Sequence, residues 1–299
     1  MSSVVGIIVT YNRRDLLKKC VDAVLSQKEE PEVFVFDNNG TDGTETMMLE
    51  WQRQNKRIYY HRSDSNLGAT GGFSRAMKLA AGKNYDFFWL MDDDTIPQEG
   101  ALGALLAAYG ILKGNCGFLG SRVLWTDGTV CAMNRQRRTM FTDVDDGAKE
   151  ITKVVMSSFV SFFVPVPVVR KLGLPIAEFF IWSDDWEYAR RISRNYPCYL
   201  VPESKVIHAM KKNTTVNIAT DSTERMERYR YFYRNDVFLF RREGIKGWAY
   251  LLAKNLWHSV QVAAHGKMVF KKLQIIWGGF LNGIRFRPAI QYTAGENRK

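Results

Sequence analysis

Cysteine is scarce and scattered in this sequence. Cys20, Cys116, Cys131 and Cys198 stand far apart, and none belongs to a C-x-x-C pair. That spacing argues against a zinc site or a disulfide framework and fits a reducing cytosol. Long uncharged runs are missing too. The longest, Val154–Val169, has 16 residues and is broken by Pro165 and Pro167, short of the ~20 residues of a bilayer span. No secretory signal is expected, because Val4–Thr10 is a short apolar run without a cleavage site. Acidic residues are sparse in the last third: residues 204–299 hold 18 Lys and Arg against 6 Asp and Glu, whereas residues 1–203 nearly balance. Such a basic block suits a polyanionic partner: an anionic membrane surface, a phosphorylated lipid or a nucleic acid. At 299 residues, 46% hydrophobic and 24% charged, the chain has a globular composition, enough for one large α/β domain with an appendage or for two domains.

Strand and helix patterns alternate through the first third. Val4–Thr10 reads as a buried parallel strand and Arg13–Gln27 as an amphipathic helix. Val33–Phe36, Ile58–His61, Phe87–Met91 and Gly117–Gly120 read as further strands. Helices are predicted up to about Gln54, over Phe73–Ala81 and over Gln98–Leu112. This order implies a doubly wound, mainly parallel sheet. Shorter segments follow, then a turn and helix over Phe180–Arg194 and a strand over Tyr199–His208. Beyond Asp221 the pattern is helical over Arg225–Arg242, Trp248–Val260 and Met268–Ile284, with no internal repeat. The polar stretch Lys211–Ser222 is the predicted boundary, giving a catalytic domain over residues 1–215 and a basic helical extension over 216–299.

In open parallel sheets, ligands bind at the carboxyl ends of the strands. Thr10-Tyr11-Asn12, Asp37-Asn38-Asn39 and Asp92-Asp93-Asp94 all fall there. Asp37, Asn38 and Asn39 offer hydrogen bonds to a base or ribose, and also suit a capped turn entering a helix. Three adjacent carboxylates repel one another unless a cation compensates; Mn²⁺ or Mg²⁺ favours such oxygen ligands and bridges phosphates. The alternative is an acidic helix N-terminus capped by Asp94 or Thr95. Asn66-Leu67-Gly68-Ala69-Thr70-Gly71-Gly72 reads as a glycine-rich loop that lets backbone approach a phosphate. No Gly-Lys-Ser/Thr follows it, so it is not a P-loop, and it does not follow the first strand, so it is not the dinucleotide fingerprint. Trp182-Ser183-Asp184-Asp185-Trp186-Glu187-Tyr188 is a second acidic cluster. Its aromatics suit a sugar face and one of its carboxylates a general base, while Ser183 or Asp184 with Glu187 also suits a helix cap. His208 ends an apolar strand, and becomes a metal ligand only if the fold returns it to Asp92–Asp94.

Together these motifs resemble the inverting glycosyltransferases of family 2, with the GT-A fold. The carriers are Ile8–Arg13, Asp37–Thr44, Asn66–Phe73 and Asp92–Asp94. Within the family the chain is similar to bacterial galactofuranosyltransferases and rhamnosyltransferase-like members, through the Gly71-Gly72-Phe73 loop, Asp184-Asp185-x-Glu187-Tyr188, His208 and Tyr229–Asn235. The resemblance covers about residues 3–236. It implies that Thr10, Asn12, Arg13, Asp37, Asn38, Asn39, Asn66, Gly68, Ala69, Gly71, Gly72 and Asp93 serve the nucleotide sugar. Asp92, Asp94 and His208 would bind Mn²⁺ or Mg²⁺. Asp185 matches the catalytic base, and Asp184, Trp182 and Glu187 the acceptor side, although Ser183 here separates Trp182 from the paired acids. The implied donor is UDP-galactofuranose, with dTDP-rhamnose as the alternative. The implied acceptor is a hydroxyl of a lipid-diphosphate-linked glycan or polysaccharide in cell-envelope synthesis.

The tail carries apolar stripes, Trp248/Leu251/Leu252/Leu256/Trp257 and Val269/Phe270/Leu273/Ile276/Trp277/Phe280/Leu281, flanked by Lys and Arg. Basic amphipathic helices with Trp suit an anionic bilayer surface, so the chain is expected as a cytoplasmic, peripheral protein on the inner face of a bacterial membrane. The same stripes suit packing on the catalytic domain or on a second subunit. Two other classes fit less well. A sugar-nucleotide pyrophosphorylase would carry a Gly-rich basic loop where Thr10-Tyr11-Asn12-Arg13 stands. For a nucleic-acid-binding protein the tail is suitable, but the acidic pocket would repel a polyanion, so no nucleic acid is expected.

Overall fold

The computed structural model describes residues 2–221, 225–265 and 267–293. Ser222 of the predicted boundary, and residues 223, 224, 266 and 294–299 of the predicted extension, lie outside the described residues. In chain order the elements are β1 (Val4–Thr10), α1 (Arg14–Leu25), β2 (Glu32–Asp37), α2 (Thr44–Gln54), β3 (Ile58–Arg62), α3 (Gly68–Ala80), β4 (Phe87–Asp92), β5 (Thr95–Pro97), α4 (Ala101–Ile111), β6 (Leu119–Leu124), β7 (Thr152–Val154), β8 (Phe162–Pro165), α5 (Val166–Leu172), α6 (Asp184–Ser193), β9 (Cys198–His208), α7 (Arg228–Phe240), α8 (Gly244–His265) and α9 (Val269–Arg285).

β1 is buried along its whole length, as expected of a strand covered on both faces. Its side chains alternate between two cores. Val5, Ile7 and Val9 join Phe34, Phe36, Phe88 and Leu90 under Phe73, Ala76 and Met77 of α3. Val4 and Ile8 join Val33, Val35, Trp89 and Met91 under Leu17, Cys20, Val21 and Val24 of α1 and Leu102 and Leu105 of α4. The two-residue period of the strands thus selects which helix each side chain meets.

The sheet runs β3-β2-β1-β4-β8-β6-β9-β5, with β7 pairing β9. β3, β2, β1 and β4 are parallel, as predicted. The remainder is mixed: β8 is antiparallel to β4 and β6, and β5 and β7 are antiparallel to β9, while β6 and β9 are parallel. From β1 the chain steps outward to β3 and returns to β4 on the other side of β1, so the connection order reverses at the β1–β4 seam. In-register pairing there brings Thr10 beside Asp37 and Val9 beside Asp92.

Two local readings need correction. The glycine-rich stretch is not a loop leading to a helix at Phe73, because α3 already begins at Gly68. Glycines let this helix press on the sheet: a Cβ at Gly72 would lie 2.6 Å from Val9 Cγ1. The triple Asp does not cap a helix. It makes a tight turn into β5, and α4 starts only at Ala101.

The C-terminal helices pack on one another and on the preceding region, where Met140 and Met156 join Val237, Phe240, Leu251 and Phe280, and Ile176 and Phe179 join Phe238. Gly279 and Gly283 on α9 let it approach α7 closely; a Cβ on them would lie 2.7 Å from Tyr233 Cβ and 2.6 Å from Val237 Cβ. Tyr229, Tyr233, Val262, Ile275 and Ile276 pack together, as do Val237, Phe240, Leu251 and Phe280. The predicted apolar stripes therefore divide. Leu251, Ile276 and Phe280 point inward, while Leu256, Trp257, Phe270 and Leu281 are exposed. No helix among the described residues is long and apolar enough to cross a membrane.

Candidate active site

The fold returns His208 to the triple Asp. β9 pairs antiparallel with β5, setting Thr95 opposite His208, and Ala209 N donates to Asp94 O at 2.8 Å. Donor atoms of Asp92, Asp94 and His208 all lie within 4.8 Å of one another. His208 Nε2 stands 3.1 Å from Asp94 Oδ1, yet that oxygen is buried and accepts no hydrogen bond among the described residues. On the far side of the ring, His208 Nδ1 donates to Asn134 Oδ1 at 2.8 Å, which turns Nε2 toward the carboxylates. Two carboxylates and an imidazole held this way, with an orphaned buried oxygen among them, fit a divalent cation such as Mn²⁺ or Mg²⁺.

The electrostatics have the same sense. Burial, with Asp94 adding to it, pushes Asp92 up to about 6. Burial outweighs the pull of Arg13 and pushes Asp93 up to about 7. Burial acts against the charge of Asp94 as well, but His208 and Arg13 outweigh it and hold that carboxyl below its usual range. For His208, burial opposes the imidazolium, and Asp94, Cys131 and Asp92 overcome it, holding its pKa up at about 10. The cluster is short of positive charge, and Arg13 supplies part of it, with Nη1 at 2.6 Å from Asp94 Oδ2 and 3.2 Å from Asp93 Oδ1. Thr10 Oγ1 donates to Asp93 Oδ2 at 2.8 Å.

The donor-side residues differ in how free they are. Asp37 is fully buried, with Oδ1 accepting from Gly40 N and Oδ2 from Tyr60 Oη. Asn38 spans two elements, accepting from Leu67 N and donating to Gly68 O. Asn66 Oδ1 accepts from Gly68 N at 2.8 Å and fixes the first turn of α3, where Ala69 and Gly71 follow. Asn12 and Arg13 are exposed beside the cluster. Asn12 Oδ1 accepts from Thr41 N, and Asn39 Nδ2 donates to Asp64 O.

The second acidic pair opens α6. Asp184 is buried and its Oδ2 accepts from Thr70 Oγ1 of α3 at 2.6 Å, a contact that gives the polar residue of the glycine-rich stretch a purpose the sequence did not reveal. Asp185 is partly buried and accepts from Trp186 N. Burial, then the neighbouring Asp184 and more weakly Asp92, push the Asp185 carboxyl well above its ordinary range. Asp184 in turn adds weakly to the upward push on Asp92, so the charges of the two acidic groups are felt by each other. Glu187 turns elsewhere: it is buried, with both oxygens on Arg191 and one also on Arg242. Trp182 packs edge-on against Tyr229 and Phe232. Asn134 gave no sequence signal, since it ends a single short 3₁₀ turn, Ala132–Asn134, between β6 and β7.

Residues 6–141 match the glycosyl transferase family 2 profile. Over 290 residues the chain is 24% identical to galactofuranosyltransferase GlfT1 of Mycolicibacterium smegmatis, covering 84% of this chain and 90% of that protein. It is 29% identical over 116 residues to the GalNAc(5)-diNAcBac-PP-undecaprenol beta-1,3-glucosyltransferase of Campylobacter jejuni, covering 37% of each. The fold is similar to that of mannosyltransferase PcManGT from Pyrobaculum calidifontis, solved with GDP-Man and Mn²⁺, with a TM-score of 0.61 at 15% identity over 94% of this chain and 86% of that one. The sheet reversal, the acidic cluster at its carboxyl edge and these likenesses lead to one conclusion: the chain carries a family 2 glycosyltransferase domain over residues 6–141 and has the GT-A fold.

Proposed function

We propose that this glycosyltransferase is metal-dependent and inverting, and that it moves galactofuranose from UDP-galactofuranose to a hydroxyl of a lipid-diphosphate-linked or polysaccharide acceptor during cell-envelope glycan synthesis. What supports the chemistry is that Asp184, beside Asp185, is tied by Thr70 to the first turn of α3, and that burial, Asp184 and more weakly Asp92 push the Asp185 carboxyl up. The donor assignment is supported by the GlfT1 relative, whose similarity extends over nearly its whole length. The lipid-linked acceptor is supported by the shorter likeness to an enzyme whose name carries an undecaprenol diphosphate.

In this reading Asp185 takes the proton of the acceptor hydroxyl as its oxygen bonds to the anomeric carbon. The bond from that carbon to the diphosphate breaks on the opposite face, and the anomeric centre inverts. A divalent cation held by Asp92, Asp94 and His208 would neutralise the charge gathering on the departing diphosphate. Asp184 orients the hydroxyl and Trp182 shapes the acceptor side, while Glu187, engaged by Arg191 and Arg242, is left with a structural role. Asn12, Arg13 and Asn39 present reachable polar groups to the nucleotide, while Thr10, Asp37, Asn38 and the first turn of α3 fix the strand ends behind them.

Residues 1–215 form the catalytic region in this proposal. Residues 216–299 dock it on an anionic membrane, at the cytoplasmic face where a lipid-linked acceptor would lie, or join two copies. The test of the donor is a panel of nucleotide sugars, each scored by thermal shift with Mn²⁺, since a true donor raises apparent stability by mass action. UDP-galactofuranose should give the largest shift. A larger shift with dTDP-rhamnose would replace the donor and leave the family intact.

A further inference from the structure

The segment that leads into the paired acids has uncommon backbone. Phe180 (φ 66°), Trp182 (φ 66°) and Ser183 (φ 60°) all lie in the left-handed region. Side chains resist this region, and it persists where the surroundings impose it, often at functional sites. At Phe180 a ψ of −56° and a 2.7 Å hydrogen bond from Ile181 N to Phe179 O make the rare γ-turn with positive φ.

α7 grips this segment with three consecutive polar residues. Asn235 is fully buried. Its Nδ2 donates to Phe179 O at 3.0 Å, Ile181 O at 3.2 Å and Trp182 O at 2.9 Å, and its Oδ1 accepts from Arg234 Nε and Nη2. Arg234 Nη2 also donates to Glu178 O. Asp236, 2% exposed, accepts from Ser183 Oγ through Oδ1 at 2.7 Å and from Lys254 Nζ of α8 through Oδ2. An irregular backbone cannot satisfy its own carbonyls, and leaving them buried without donors is costly. The two N–H groups of one amide side chain serve three of them, one hydrogen being shared. The following residues of α7, Val237–Phe240, are buried and apolar, so this polar triplet is confined to the place where the helix meets the segment.

We propose that Asn235 and Asp236 are positioning residues for sugar transfer: from α7 they hold residues 179–183 in an irregular course with positive φ at Phe180, Trp182 and Ser183, and so set where Asp184 and Asp185 stand at the start of α6. For its effect on rate the inference rests on the reading of Asp185 as base, while the grip itself is measurable without that reading.

The experiment compares Asn235→Asp with the parent. Aspartate keeps the size and the acceptor for Arg234 but brings no N–H to the three carbonyls. Three quantities are read: hydrogen exchange of residues 178–186 against β1 and β2, affinity for UDP with Mn²⁺, and the kcat and donor KM for UDP release from UDP-galactofuranose with a polyprenyl-diphosphate-linked saccharide. Exchange should rise in residues 178–186 alone. UDP affinity and donor KM should hold, and kcat should fall about 100-fold, the scale of a misplacement near 1 Å. Unchanged exchange, or unchanged kcat with raised exchange, overturns the proposal. If Asn235→Asp does not fold, Ser183→Ala decides: kcat down about tenfold at constant donor KM, on the same misplacement scale, supports it, and unchanged kcat overturns it. Asp185→Asn runs alongside. If it is inactive while Asn235→Asp is fully active, only the positioning claim fails; if it stays active, the base assignment fails and the exchange result stands by itself.

Discussion

Gly68 leaves empty the point where a Cβ would lie 2.3 Å from the carbonyl oxygen of Phe180. Its φ is +74°, and two residues on Thr70 N donates to that same oxygen. The first turn of α3 and the segment before α6 therefore interlock through backbone. Gly68→Ala should destabilise the protein by about 1–3 kcal/mol, combining a left-handed alanine with a displaced carbonyl, and should lower turnover because Asp184 and Asp185 follow the displaced segment. Gly100→Ala is the control: its φ is +76° but nothing lies within 4 Å of the added carbon. Thermal denaturation should show the larger loss for Gly68→Ala. Equal losses would mean that the approach to Phe180 contributes nothing.

Asp185→Asn tests the chemistry. A positioned general base contributes roughly 10²–10⁴-fold, and turnover should fall by at least the lower figure. UDP binding with Mn²⁺ should change little, because the amide keeps the shape of the side chain and Asp185 is not among the three grouped metal donors. Titration calorimetry with UDP and a UDP-release assay separate the two effects. Near-normal turnover in this variant removes Asp185 as the base.

Much of this site was legible in the sequence because its parts end strands. Apolar runs announce β1, β2 and β4, and the polar residues that follow them fall at one edge of a parallel sheet. The pairing of His208 with Thr95 was not legible, since β5 is three residues long and lies between a turn and a helix. The mixed half of the sheet was missed for the same reason, as strand direction depends on long-range pairing that local pattern does not encode. The early start of α3 was hidden by its glycines, which by propensity read as loop; close packing on Val9 outweighs that propensity here. Asn134 and Thr70 act through distant partners, 74 and 114 residues away, and polar residues in ordinary-looking segments carry no mark of such contacts.

Asn134 gives the proposed metal site a prediction of its own. By accepting from His208 Nδ1, it turns Nε2 toward the carboxylates, where it would meet an ion that displaces its proton, and partners of this kind are worth about 10–100-fold in metal affinity. Asn134→Ala should weaken Mn²⁺ binding by that factor, measured by electron paramagnetic resonance of free Mn²⁺. Chelation by EDTA should abolish transfer in the parent, with Mn²⁺ or Mg²⁺ restoring it. Full activity in chelator would remove the metal from the account.

His258 should make the C-terminal helices sensitive to acid. Tyr233 Oη and His258 Nδ1 share a hydrogen bond of 2.7 Å, with Nδ1 accepting while the ring is neutral and protonated on Nε2. Burial and then Lys254 push its pKa down to about 4, with Asp236 opposing. Because the folded value lies below the ordinary one near 6.5, the unfolded chain takes up a proton that the folded chain refuses. The stabilisation is complete above about 6.5 and is lost as pH falls toward 4. Melting temperature should drop across that window, and His258→Gln, which keeps an acceptor for Tyr233, should flatten the drop. An identical pH profile for the two proteins would clear His258 of the effect.

The exposed face of the last helices poses the remaining test. Ile245 is 89% exposed, Phe270 77%, Leu281 61% and Trp257 60%, in a region whose charge is strongly positive. Each such side chain gains about 1.5–3 kcal/mol if fully buried, and each Lys or Arg close to an anionic surface adds about 1 kcal/mol. Both contributions favour a phosphatidylglycerol-rich vesicle, but only the apolar one operates on a neutral surface. The protein should therefore float with phosphatidylglycerol vesicles, much less with phosphatidylcholine vesicles, and less as salt screens the basic residues. Trp257→Ser with Phe270→Ser should reduce flotation while leaving the melting temperature nearly unchanged, since neither side chain belongs to the packed clusters. A dimer in light scattering that this double variant breaks, with no flotation by the parent at low salt, would assign the face to a second copy of the chain instead.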